Sequence, residues 1–131
     1  MPLGAAEGQD VTDTGTYSAV AMQLTARSME RLGADEARAA TLDHIAEIEG
    51  QIRTSAIFIA GYAGKPVKLV VLPEYLFTSY PGRISILDFA AKVGFAADGP
   101  EYEALGGVAA RLGVFLAGNI YETDEAFPDF Y

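Results

Sequence analysis

Hydrophobic and polar positions along the first half of the chain follow two different periods. Residues 17–25 alternate between apolar side chains and small or polar ones, which predicts a strand. Apolar residues then recur at helical spacing from 37 to 59, which predicts an amphipathic helix with Asp35 as its N-cap. Residues 67–72 form a nearly continuous apolar run, which predicts a second strand covered on both faces.

The second half of the chain continues the same alternation of elements. Ser85, three residues before Asp88, indicates the start of a short helix, and residues 94–99 are typical of a loop. Pro100 suits the first turn of another helix, and residues 114–121 predict a third strand. Strand, helix and strand in this order form a βαβ unit with parallel strands, so the fold class is α/β.

Glu74 is the candidate for chemistry because it follows the second predicted strand immediately after Pro73, which cannot extend a sheet. Among Tyr75, Phe77 and Tyr80 we expect its carboxylate to be partly desolvated, which would raise its pKa and suit it to proton transfer. The structural alternative is a carboxylate that caps the strand end or pairs with Arg83. Tyr75 and Tyr80 fit either a substrate pocket or the core.

Composition and charge exclude several classes of protein. The 131 residues suit one domain, which we place at residues 16–131, after a flexible segment of residues 1–15. A formal net charge of -9 argues against binding to nucleic acid or to an anionic membrane surface. No apolar stretch suits a membrane span or a leader, so we expect a cytoplasmic protein.

The residue types that commonly bind metals are sparse or poorly spaced. The sequence contains no cysteine, which excludes disulfides, thiolate metal sites and a cysteine nucleophile within these residues. We expect His44, the single histidine, to be a surface or boundary residue of the long helix. The acidic residues near the end of the chain lack calcium-loop spacing and predict a polar loop. They are Glu122, Asp124, Glu125 and Asp129. We therefore expect neither a metal nor an organic cofactor.

Several of these features together resemble the N-terminal portion of the nitrilase superfamily, the carbon-nitrogen hydrolases. The most specific is the apolar strand of residues 68–72 that leads into Pro73, Glu74 and Tyr75. The likeness covers most of the chain, from about residue 17 to the last residue. Its remaining features are the first strand ending in Met22 and Gln23, Tyr80, Gly99 with Pro100, Gly118 with Asn119, and Glu122.

The resemblance implies an αββα sandwich, of which this chain would be the incomplete N-terminal part, and a homo-oligomer in the complete protein. It also implies hydrolysis of a small nitrile or amide by a glutamate, a lysine and a cysteine, with Glu74 as general base and Tyr75 and Tyr80 at the substrate. The lysine and cysteine motifs are absent here, so we expect the isolated chain to be inactive. The alternative is a non-catalytic α/β domain that binds a ligand or partner, or an inactive truncated relative.

Overall fold

The computed structural model describes residues 15–131, so the flexible segment expected at the start of the chain lies almost entirely outside the described residues. Strands and helices alternate, which confirms the α/β class. The strands are β1 (Ser18–Ala21), β2 (Val67–Val71), β3 (Phe95–Ala96), β4 (Phe115–Ala117) and β5 (Glu122–Thr123). The helices are α1 (Ala34–Ala63), α2 (Ile86–Val93) and α3 (Pro100–Leu112).

The central element is a parallel three-stranded sheet in the order β1-β2-β4. Both outer strands stop where β2 stops, since Val71 pairs with Ala21 on one side and with Ala117 on the other. Because Pro73 has no N–H, β2 cannot extend the ladder past Leu72. The outer strands are therefore shorter than the strands predicted at residues 17–25 and 114–121. The predicted parallel βαβ unit is confirmed.

Helix α1 begins one residue after its N-cap Gly33, so the prediction of Asp35 as the N-cap is wrong. Glu36 takes part of the capping role, because its carboxylate accepts a hydrogen bond of 2.9 Å from the Gly33 N–H. Asp35 and Glu36 both lie in the first turn, where negative charge suits the helix dipole. The helix ends at Gly64, whose φ of 68° is a left-handed conformation that glycine adopts without strain.

Helices α1 and α3 pack against each other and against one face of the sheet. Ile48 of α1, Val70 of β2 and Val108 of α3 are all buried in this core. The opposite face has no covering layer among residues 15–131, and Val71 and Phe115 on it are 39% and 77% exposed. The prediction that β2 is covered on both faces is therefore wrong for the described chain.

The remaining elements form a second, smaller packing unit beside the sheet. The segment predicted as a loop at 94–99 contains β3, which pairs with β5 in a two-stranded parallel sheet. Helix α2 contributes Phe89 and Val93 to a separate apolar cluster with Met29 and Ala37. None of the helices in the described chain has the length and apolar character of a membrane span.

Candidate functional site

Glu74 follows the carboxyl end of the central strand, as the sequence predicts, and lies at the start of a turn that covers residues 74–78. Its side chain is exposed, so the expected desolvation is wrong for this chain. Arg83 does not pair with it either, because no ion pair of Glu74 occurs between residues 15 and 131.

Tyr75 has a left-handed backbone conformation directly after the candidate base, with a φ of 57°. Such a conformation is uncommon for a residue with a large side chain and is maintained only by surrounding contacts. The Tyr75 carbonyl accepts hydrogen bonds from the Thr78 N–H at 3.3 Å and the Ser79 N–H at 2.8 Å. These two bonds close the turn and orient the backbone on which the Glu74 carboxylate is carried.

A neighbouring stretch of chain anchors the turn from the side. After β1, the Arg27 N–H donates to the Leu76 carbonyl at 3.4 Å, and the Met29 N–H donates to the Thr78 carbonyl at 3.2 Å. Leu76, Phe77 and Thr78 are buried, so the inner half of the turn is part of the core. The backbone beneath Glu74 is therefore fixed even though its side chain is exposed.

Tyr80 is an exposed residue of the stretch that follows the Glu74 turn. It is 68% exposed and lines a surface cavity of about 560 Å³ with Glu30, Arg31, Gly82 and Arg83, which neither Glu74 nor Tyr75 lines. The Glu30 carboxylate accepts the Arg83 N–H at 3.1 Å and thereby fixes this outer loop. Tyr80 thus borders a cavity of its own loop, while Glu74 and Tyr75 are consecutive residues of the turn.

Tyr121 is the residue near Glu74 that the sequence reasoning missed. Its ring lies 6.5 Å from the Tyr75 ring, centroid to centroid, and 6.0 Å from that of Phe89. Burial raises the pKa of the Tyr121 hydroxyl, and Tyr75 and the negative charge of Glu74 raise it further. The signal was present, because the carboxyl ends of parallel strands meet at one edge and Tyr121 follows β4 there.

His44 lies beneath the turn and is buried, so the prediction of a surface or boundary position is wrong. Its ring meets Phe77 edge to face at 5.8 Å, and its Nδ1 has no hydrogen-bond partner among residues 15–131. Burial lowers the pKa of His44, and the nearby Arg27 lowers it further, while Glu47 opposes the shift. The ring therefore acts as a neutral packing residue that supports the turn.

Two of the lysines and one acidic residue near the end of the chain make structural contacts. The Lys92 Nζ donates to the carbonyls of Met29 and Glu30, each at 2.9 Å, and the Lys68 Nζ donates to the Gly113 carbonyl at 3.3 Å. Glu122 accepts the Tyr102 hydroxyl; burial and this bond raise the pKa of Tyr102 to about 12. No group of three metal-ligating side chains occurs within residues 15–131.

The arrangement offers a carboxylate at a strand end, with two phenol groups beside it and no thiol. The family described as carbon-nitrogen hydrolase matches residues 36–131, which is well over half of the chain and includes the Glu74 turn and Tyr121. No curated protein and no solved structure gives a significant match to this sequence.

Proposed function

Because this chain belongs to the carbon-nitrogen hydrolase family, we propose that it supplies the general base of a hydrolase that cleaves non-peptide carbon-nitrogen bonds in a small nitrile or amide. The observation that carries the proposal is the position of Glu74. It follows the central strand of a parallel sheet and starts a turn with a left-handed second residue. Residues in such conformations cluster at active sites, and ligands of α/β sheets bind at this edge.

The role of Glu74 in the reaction is proton transfer. Its carboxylate accepts the proton of the nucleophile as the nucleophile bonds to the substrate carbon, and it passes that proton to the substrate nitrogen. An amide then loses ammonia directly, whereas a nitrile first adds one water; in both cases a water activated by the same carboxylate finally releases the acid and the nucleophile. The family resemblance assigns the nucleophile to a cysteine and charge stabilisation to a lysine. This chain has no cysteine, Lys65 contacts the Thr16 hydroxyl, and Lys68 and Lys92 contact backbone carbonyls instead. We therefore propose that both partners come from sequence outside these 131 residues.

The exposure of Glu74 adds a condition to this proposal. A carboxylate transfers protons near neutral pH most effectively where it is shielded from water. In the active enzyme, bound substrate or further polypeptide would have to cover Glu74. The uncovered sheet face beside it, with Val71 and Phe115, fits the second layer of an αββα sandwich, and the complete enzyme would be a homo-oligomer.

The test is replacement of Glu74 by Gln in the full-length enzyme, followed by measurement of ammonia release from a panel of nitriles and amides. Loss of a positioned general base should lower kcat by about 10²–10⁴-fold. Glu125→Gln is the matched control, because Glu125 is an exposed glutamate in the last loop. Turnover by Glu74→Gln at the rate of the unsubstituted enzyme would rule out Glu74 as the base.

A non-catalytic α/β domain is the second candidate, and the lack of any cysteine together with the exposure of Glu74 favours it. Tyr75 and Tyr80 would then contact a ligand or partner rather than a reacting substrate. The isolated 131-residue chain is expected to release no ammonia above background under either proposal. Turnover by the isolated chain would contradict the account of the missing nucleophile.

A further inference from the structure

Tyr121 occupies a fixed position between the turn that carries Glu74 and helix α2. Its ring packs on Tyr75 at 6.5 Å with an interplanar angle of 34°, and on Phe89 at 6.0 Å with an angle of 86°. The Phe89 pair is edge to face, which aromatic pairs favour, and the Tyr75 pair is tilted with its ring centroids within the usual contact distance. The ring therefore bridges a fully buried residue of α2 and the half-buried residue that follows Glu74.

The backbone of Tyr121 is held as firmly as its ring. Its carbonyl accepts a hydrogen bond of 2.8 Å from the Phe95 N–H, and the next residue, Glu122, pairs with Phe95 in the small parallel sheet. Phe95 is itself buried and packs on Phe77 at 6.1 Å. The Tyr121 ring thus forms a fixed packing surface, or wall, for the Tyr75 ring.

Tyr75 needs such a wall because a left-handed conformation is unfavourable for a tyrosine. Two hydrogen bonds to its carbonyl, from Thr78 and Ser79, fix one side of the residue. Within residues 15–131, Tyr121 supplies the aromatic contact on its side chain. If loss of this contact allowed the Tyr75 backbone to leave the left-handed conformation, the change in its dihedral angles would also redirect the adjacent Glu74 carboxylate.

We propose that Tyr121 is a positioning residue, which holds Tyr75 in its left-handed conformation and thereby sets the direction of the Glu74 carboxylate. The catalytic consequence rests on the proposed function, whereas the effect on the turn does not. The electrostatic surroundings agree with this placement. Burial, Tyr75 and the charge of Glu74 all raise the pKa of the Tyr121 hydroxyl, which keeps the group neutral beside the carboxylate at neutral pH.

The structural arm of the test uses the 131-residue chain and amide hydrogen exchange at Thr78 and Ser79, whose N–H groups donate to Tyr75. Tyr121→Leu should accelerate their exchange by about two- to tenfold, the range expected for loss of one aromatic pair. Tyr121→Phe retains the ring and should exchange as the unsubstituted chain does. The Val70 amide in the central strand reports global opening and serves as the internal reference.

Tyr62→Leu is the control for loss of a tyrosine ring, because Tyr62 is 87% exposed near the end of α1. It should leave the ratio of Thr78 and Ser79 exchange to Val70 exchange unchanged. If Tyr121→Leu does not fold, Tyr121→Met replaces the ring with a flexible apolar side chain of similar length. Unchanged exchange at Thr78 and Ser79 in the ring-deleted variant would overturn the proposal.

The catalytic arm uses the full-length enzyme. Tyr121→Leu should lower kcat by about two- to tenfold and leave KM nearly unchanged. It should also shift the acid limb of the pH profile of kcat. Tyr121→Phe should have the kcat, the KM and the pH profile of the unsubstituted enzyme. Faster exchange with unaltered kcat would overturn the positioning role. If Glu74→Gln retained full activity while Tyr121→Leu still loosened the turn, the proposed function would fail and the structural role of Tyr121 would stand.

Discussion

At the scale of single residues, His44 links the support of the Glu74 turn to pH. Its ring is buried against Phe77, one of the turn residues, and its Nδ1 has no hydrogen-bond partner in the part of the chain that the structure describes. Burial and the nearby Arg27 lower the pKa of His44, with partial opposition from Glu47. A proton therefore binds more readily to this histidine in the unfolded chain, where its pKa is about 6.5.

We expect the free energy of unfolding to decrease as the pH falls below about 7, because the unfolded state binds the proton preferentially. Above that range the contribution of His44 is constant. Urea denaturation between pH 5 and pH 8 measures the effect, and His44→Leu should remove it, since the chain has one histidine. An identical pH dependence in His44→Leu would contradict this origin.

The sequence predicts the position of Glu74 and not its surroundings, for a physical reason. A strand followed by proline determines where Glu74 lies along the chain, and that prediction is confirmed. Whether a side chain is desolvated depends on contacts from distant segments, which the local pattern does not contain. The same limit applies to His44, which lies next to Asp43 and near Glu47 in sequence. A surface or boundary position was predicted from these neighbours, but His44 is buried.

At the scale of elements, the start of α2 illustrates a helix boundary that short-range chemistry specifies. The Ser85 hydroxyl oxygen accepts the Asp88 N–H at 3.1 Å, and the hydroxyl donates to the Asp88 carboxylate at 2.6 Å. This is the cap that the sequence predicts. Because α2 carries Phe89, on which Tyr121 packs, the cap also affects the wall behind Tyr75.

Ser85→Ala should lower the free energy of unfolding by about 1 kcal/mol, the usual cost of losing an N-cap hydrogen bond. Ser85→Thr keeps a hydroxyl and should recover most of that loss. Chemical denaturation measures both. Equal stability of Ser85→Ala and the unsubstituted chain would show that the cap does not stabilise α2.

Boundaries that depend on a partner strand were harder to predict than capped ones. The strands predicted at 17–25 and 114–121 are shortened because β2 offers no further hydrogen bonds after Leu72. The loop predicted at 94–99 contains β3 because the distant strand β5 pairs with it, Phe95 with Glu122 and Ala96 with Thr123. Local sequence specifies β propensity, but pairing decides where a strand ends.

At the scale of the whole molecule, the parallel sheet has helices on one face only within residues 15–131. Ala19, Leu69 and Phe115 share the uncovered face, because paired residues of parallel strands point the same way. An apolar sheet face of this kind promotes association or binding of hydrophobic probes. The predicted βαβ unit is confirmed, while the second layer of the sandwich stays a prediction.

Phe115→Thr should reduce the fluorescence of a bound hydrophobic dye and the self-association of the 131-residue chain. Threonine retains β propensity, so β4 should persist. Phe58→Thr is the control, because Phe58 is 70% exposed on α1, away from the sheet face, against 77% for Phe115. An equal reduction by both substitutions would contradict a specific role for the uncovered face.

The parallel pairing of β1 with β2 also has a consequence for the order in which the chain folds. The two strands are separated by the 30-residue helix α1, so β1 cannot pair until the whole helix and β2 have been synthesised. Helical contacts form locally and quickly, whereas parallel pairing must first close a long loop. During synthesis α1 therefore precedes the sheet, and the turn that carries Glu74 acquires its support only after both strands have joined.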